Sequence, residues 1–135
     1  MASLRPYLFF EGSCEEALNF YAKALGGEIK ELLRVKDFAS EAPTAQPEKI
    51  MHAKFAFWGG EIYASDNVDG STCNWQDQNI FVCVDADTPE QGRKAFQAMS
   101  EGGEIVSAFA KQFWGDFFGS LIDKYKIRWM FNATE

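Results

Sequence analysis

A chain of 135 residues with 47% apolar and 24% charged residues has the composition of one ordinary soluble domain, which excludes intrinsic disorder. No apolar run approaches the roughly 18–20 residues that a membrane-spanning helix needs. Thirteen basic residues against twenty acidic ones, a net charge of −7, exclude a nucleic-acid binder, because phosphate neutralisation needs clustered Lys and Arg. The residues before Tyr7 lack the apolar core of a signal peptide, so the cytoplasm is the expected location. Cys14, Cys73 and Cys83 are odd in number and far apart, and form neither a disulfide framework nor a zinc ribbon. An aromatic share of 16% fits either a well-filled core or an aromatic-lined cavity.

In chain order, Tyr7-Leu8-Phe9-Phe10 reads as a strand. Ser13 and Glu16 then form an S-x-x-E capping box. Ala17, Leu18, Tyr21, Ala24 and Leu25 keep helical spacing, and Gly26 supplies the left-handed stop. Glu28 to Val35 is a strand, and 36–49, with Pro43 and Pro47, is a loop. Ile50–Trp58 and Glu61–Asn67 are strands of a hairpin that turns at Gly59-Gly60. The stretch 69–77 is a linker, polar except for Trp75. A second strand–helix pattern opens with Asn79 to Val84. It continues through a second capping box, Thr88-Pro89-Glu90-Gln91, into a stripe of Gly92, Ala95, Phe96 and Met99. Strands follow at 104–110, 116–122 and 127–132.

The order repeats, and so does Gly-Gly-Glu-Ile: residues 26–29 recur at 102–105, 76 residues on, with Phe20 and Phe96 at the same separation. The predicted fold is therefore α+β. It has two tandem βαβββ modules, 4–68 and 78–132, in one domain spanning 1–135, with a curled sheet around a cavity and the helices outside. Period-two reading puts Leu8, Phe10, Met51, Phe55, Ile62, Ile80 and Val84 on a uniformly apolar, helix-covered face. The opposite face mixes aromatic and polar groups: Tyr7, Phe9, His52, Lys54, Trp58, Tyr63, Ser65, Asn79, Phe81, Arg128, Met130 and Asn132. A ligand cavity uses such a mixture, and so does a dimer interface.

Several stretches resemble the PhnB-like branch of the vicinal oxygen chelate superfamily, the glyoxalase/bleomycin-resistance/dioxygenase proteins. They are Pro6 to Phe10 followed by Ala17 to Tyr21 and Gly26-Gly27, then Lys49 to Ala53, then Gly59-Gly60 with Ala64-Ser65-Asp66. The most specific are Phe113-Trp114-Gly115, Phe118-Gly119, Asp123 and Trp129-Met130. One departure is the turn Asp123-Lys124-Tyr125-Lys126, where the branch usually has Asp-Pro-Phe-Gly; a less constrained turn is expected there. The resemblance implies the paired βαβββ fold, commonly a homodimer, with a cavity inside the sheets. It implies no single reaction, because the superfamily holds isomerases, dioxygenases, transferases and binders that sequester antibiotics.

Branch members often carry a methyltransferase label. The strand-to-helix turns Glu11-Gly12-Ser13 and Asp85-Ala86-Asp87 do not support it, since neither resembles a glycine-rich cofactor nest. The superfamily's enzymes hold a metal with His and Glu on the first and last strands of each module. Those regions here carry Tyr7, Ser65, Asn79 and Asn132, with Asp66 and Glu135 the nearest carboxylates. No metal and no cofactor are expected. His52, the single histidine, reads as a hydrogen-bonded strand residue, a cavity acid/base (the one weak catalytic candidate) or a metal ligand. Cys14, at a helix start, reads as a small core residue or an activated thiol, and Cys83 as buried in a central strand. The cluster around Phe113, Trp114, Phe117 and Phe118 fits a pocket wall or a core equally. The leading expectation is a metal-independent protein that binds a small molecule through Tyr7, His52, Lys54, Trp58, Tyr63, Ser65, Asn79, Phe81 and Trp114. A superfamily lyase or dioxygenase with a metal on His52 and Asp66 is the alternative. A structural module whose aromatics serve only a dimer is a third.

Overall fold

Each half of the chain builds the same arrangement once, in a computed structural model that describes residues 3–38, 46–67, 73 and 79–135. The chain divides into two units, Met1–Asn74 and Trp75–Glu135. In the first, β1 (Tyr7–Phe10) leads into α1 (Cys14–Leu25), then β2 (Glu28–Arg34), a single 3-10 turn (Val35–Phe38), β3 (Ile50–Phe57) and β4 (Gly60–Asp66). In the second, β5 (Val82–Ala86) leads into α2 (Pro89–Ser100), β6 (Glu104–Lys111), β7 (Phe117–Ile122) and β8 (Arg128–Ala133). The strand orders are β1-β4-β3-β2 and β5-β8-β7-β6. The first strand of each unit runs parallel to the last, and the other pairs are antiparallel.

The internal repeat survives in the register. Leu8 faces Ala64 across β1 and β4, and Val84, 76 residues after Leu8, faces Phe131 across β5 and β8. The edge strands β2 and β6 are each broken by a register shift at corresponding places, Ile29/Glu31 and Ile105/Ser107. A bulge on an exposed edge adds twist there and blunts pairing with other chains. Gly26 and Gly102 share a left-handed conformation, φ 76° and 75°. The glycine after each lies against the neighbouring strand: a β-carbon on Gly27 would sit 2.6 Å from the Ala56 carbonyl oxygen, and one on Gly103 would strike the Ile122 carbonyl. The double glycine is thus a stop followed by a close approach, in both units.

In the first unit α1 buries Cys14, Ala17, Leu18, Tyr21 and Leu25 against Phe10, Ala53, Phe55 and Ala64. In the second, α2 sets Phe96 edge-on to Phe131 at 5.8 Å and beside Phe109 at 5.7 Å. Gly92 and Gly119 make room for Phe109, since a β-carbon on either would lie 2.8 Å from it. Phe117 stacks on Phe109 at 6.0 Å, both half-buried, so this part of the aromatic cluster packs at the margin of the core.

Three expectations need correction. Ser13 makes no side-chain cap for α1; a carboxylate from β4 takes that role, as described below. At α2 Thr88 does accept from the Gln91 amide at 3.1 Å, while the Gln91 side chain reaches the Asp87 amide, one residue beyond the cap. The first strand of the second unit begins at Val82 and is an edge strand, so Ile80 lies outside it at 78% exposure and Cys83 is exposed. The apolar run Ile80–Val84 mimics a buried central strand, but pairing on one side only leaves its outer groups uncovered. Met51, placed on the apolar face, is half-buried where the β2–β3 register shifts between Leu33 and Arg34.

The turn after β7 is tighter than its sequence suggests. Asp123 is buried, and its Oδ1 accepts from the amides of Tyr125 (2.8 Å) and Ile127 (3.1 Å). Lys126 takes φ 77°, a left-handed conformation that costs a residue with a β-carbon about 1–2 kcal/mol. Lys126→Gly is accordingly expected to stabilise the protein by about 0.5–1 kcal/mol in urea unfolding, the gain being set against the greater freedom of glycine in the unfolded chain.

Candidate functional site

Period-two alternation on adjacent strands of the first unit brings three rings together. Tyr7 on β1 lies opposite Tyr63 on β4, and Tyr63 opposite Lys54 on β3. His52, two residues before Lys54, faces Leu33 on β2. The Tyr7 hydroxyl and His52 Nδ1 share a hydrogen bond of 3.1 Å, in which the phenol donates when Nδ1 is unprotonated. His52 meets Tyr63 edge to face at 5.1 Å, and Tyr7 meets Tyr63 likewise at 6.3 Å. Phe9 extends the patch, 4.8 Å from Tyr7. Tyr7 and Phe9 are 41% and 51% exposed, so the first unit presents aromatic surface to solvent there.

Two cations border Tyr63. The Arg5 guanidinium lies 5.2 Å from its ring centre and Lys54 Nζ 5.5 Å. Each is already paired: Arg5 Nε with Glu61 at 2.6 Å, and Lys54 with Glu31 at 3.7 Å. The patch therefore has an aromatic floor, one phenol–imidazole pair and a charge-balanced rim. Chemically it can stack a flat ring and exchange a hydrogen bond with it. Arg5, Phe9, Glu31 and Glu61 are absent from the sequence-based site. Counting back by two from Tyr7 would have reached Arg5; the glutamates are recognisable only once strand partners are known.

Other expected site residues lie elsewhere. Ser65 follows Tyr63 on the same strand and is buried. Trp58 occupies the β3–β4 turn with φ 50°, and its indole donates to the Leu25 carbonyl at 3.0 Å, at the end of α1. Asn79, Phe81 and Trp114 belong to the second unit. Asn79 is exposed, and Phe81 lies beneath the Arg128 guanidinium at 5.8 Å. Trp114 is 54% exposed and Phe113 97% exposed at the β6–β7 turn, their rings edge to face at 4.9 Å; neither is core. Trp75 falls outside the described residues.

The donor set does not fit a superfamily-type metal. Asp66, the carboxylate paired with His52 in the alternative reading, is 3% exposed and committed to backbone. Its Oδ1 accepts from the amides of Gly12 and Cys14, and its Oδ2 from that of Ile50, each at 2.9 Å. Glu135 pairs with Lys111 at 2.9 Å. Among the described residues no three His, Cys, Asp or Glu side chains converge. The same geometry bears on methyl transfer. At the strand-to-helix turn the amides of Gly12 and Cys14 already donate to Asp66.

Nor does a thiol complete a catalytic pair. Cys14 is fully buried, and burial, with Asp66 and Glu15 adding to it, pushes its thiol far above the usual range. Cys73 is half-buried and accepts from the Asn67 amide group at 3.3 Å. Cys83 is exposed, its thiol raised by partial desolvation and by Asp85. Titration with a thiol reagent in the folded protein is expected to modify Cys83 first, Cys73 more slowly, and Cys14 only after denaturation. Rapid modification of Cys14 would contradict its burial.

A family model described as 3-demethylubiquinone-9 3-methyltransferase matches residues 2–131. The chain is 28% identical to Protein YjdN of Escherichia coli K12, over 98% of this chain and 95% of that one. It is similar to the crystal structure of protein PA1353 from Pseudomonas aeruginosa, at 28% identity and TM-score 0.87, covering 99% and 98% of the two chains. A PhnB protein from Bacillus cereus follows at 25% identity and TM-score 0.81, covering 98% and 100%. The fold alone extends to a glyoxylase/bleomycin resistance protein/dioxygenase domain from Frankia sp. EAN1pec, at 9% identity, TM-score 0.70 and coverage of 100% and 93%. With two βαβββ units and a family match over nearly its whole length, the chain belongs to the PhnB-like family, which carries the 3-demethylubiquinone-9 3-methyltransferase description.

Proposed function

We propose that this protein binds a flat, uncharged aromatic small molecule on the first-unit face built by Tyr7, His52 and Tyr63, and that it does so without a metal. The observation that carries the reading is the Tyr7–His52 hydrogen bond of 3.1 Å set against the edge of Tyr63, three rings from three strands with their charges balanced at the rim. Aromatic surface with a few fixed polar groups is what small-molecule sites generally use. A methyl-transfer reading has no comparable support: Asp66 takes the amides of Gly12 and Cys14 at the first strand-to-helix turn.

The test is a thermal-shift panel of 2-naphthol, indole, quinoline and acridine on chelator-treated protein. A true ligand at about 100 times its Kd adds about 2.7 kcal/mol of stability. The shift is expected to vanish in Tyr63→Ala. Stabilisation that needs added zinc or iron would instead favour a metal-dependent lyase or dioxygenase.

We further propose that the two units act as one domain in a homodimer. Exposed Ile105, Val106, Phe113 and Trp114 in the second unit support a partner copy, because apolar surface of this kind is more often covered than left in water. No described helix is long and apolar enough to cross a membrane. Light scattering at micromolar concentration is expected to give about twice 15.2 kDa, and a monomer mass would count against the dimer.

A further inference from the structure

Arg128 opens β8, and its position is explained by the repeat. Ala64 and Phe131 hold corresponding places, facing Leu8 and Val84, so Arg128 corresponds to Glu61 and Phe81 to Arg5. In the first unit Arg5 and Glu61 form an ion pair of 2.6 Å. In the second the positions are exchanged for Phe81 and Arg128, and the carboxylate is gone. The guanidinium lies 5.8 Å from the Phe81 ring centre, and its Nε is buried without an acceptor. Among the described residues no side-chain hydrogen bond or ion pair reaches Arg128. The acid of β5, Asp85, lies opposite Asn132, four residues along β8 from Arg128, and accepts from Asn132 at 3.1 Å. A buried cationic donor without an acceptor is costly, whereas a guanidinium presents a fork that suits a planar or tetrahedral oxyanion.

We propose that Arg128, backed by Phe81, is an oxyanion-binding site of the second unit, taking the carboxylate or phosphate group of a small molecule. The site does not depend on the reading of the Tyr7–His52–Tyr63 face. Phe81 offers the flat surface beside the charge, so a carboxylate attached to an aromatic ring would gain both contacts.

Isothermal titration of the full chain with inorganic phosphate and with benzoate, at constant ionic strength set by sodium chloride, tests this. Saturable binding of at least one is expected, weakened at least about tenfold in Arg128→Gln. Arg128→Lys keeps the charge but not the fork, and is expected to fall between. Benzoate binding lost in Phe81→Leu, with phosphate binding kept, would assign the site to aromatic carboxylates. Phosphate binding without benzoate binding would assign it to phosphate groups. Circular dichroism of each variant establishes that it is folded, and Arg128→Lys carries the test if Arg128→Gln is not. Binding of neither probe, or equal affinity in the wild-type chain and the folded variants, would overturn the proposal.

Discussion

Asp66→Ala is expected to destabilise the protein by roughly 3–5 kcal/mol, because three backbone amides lose a charged acceptor at once. The amides of Gly12 and Cys14 open α1, and that of Ile50 opens β3, so one buried side chain ties the helix start and two strands together. Ser13 offers no substitute, since it makes no cap of its own. Asp66→Asn is the sharper variant. Its single carbonyl oxygen can still accept from Gly12 and Cys14, but its amide group then confronts the Ile50 N–H. The expected loss is about 1–3 kcal/mol, the cost of one buried unsatisfied donor. Urea unfolding measures both. Equal losses for the two variants would mean that charge rather than acceptor geometry holds the turn.

Trp129→Ala is expected to cost about 3–5 kcal/mol. Trp129 is the largest fully buried side chain among the described residues, stacked near Phe131 at 6.3 Å. Its indole also donates to Asp123 Oδ2 at 2.8 Å, which links the core of the second unit to the turn that Asp123 organises. Trp129→Phe keeps most of the ring and removes the donor, so about 1–3 kcal/mol should be lost. A loss below 1 kcal/mol would show that water or a neighbouring group replaces the indole without penalty.

These two carboxylates mark where the sequence stops being legible. The double glycines, the helix stripes and the capping residue Thr88 act on neighbours a few positions away, so local pattern reveals them. Asp66 acts on residues 52 and 54 positions earlier, and nothing near it indicates that it caps α1 in place of Ser13. Alternation correctly puts Tyr7, His52 and Tyr63 on one face, because strand parity is a local property. It could not tell that β5 is an edge strand, and so Cys83 reads as buried in sequence and is exposed in structure. Trp58 illustrates a different limit. Its parity matches the site, but a left-handed turn carries its indole to the end of α1.

The chain's single histidine gives the most direct measurement. One imidazole means one unambiguous Cε1–H resonance, and that resonance reports from inside the proposed site. In chelator-treated protein, titration with the aromatic compound that gives the largest thermal shift in the panel is expected to move the His52 signal saturably, with a midpoint matching the thermal-shift affinity. The movement should be lost in Tyr63→Ala while the rest of the spectrum stays folded. A His52 signal that does not move while the compound binds, or that moves only after zinc is added, would contradict metal-independent binding at the Tyr7–His52–Tyr63 face.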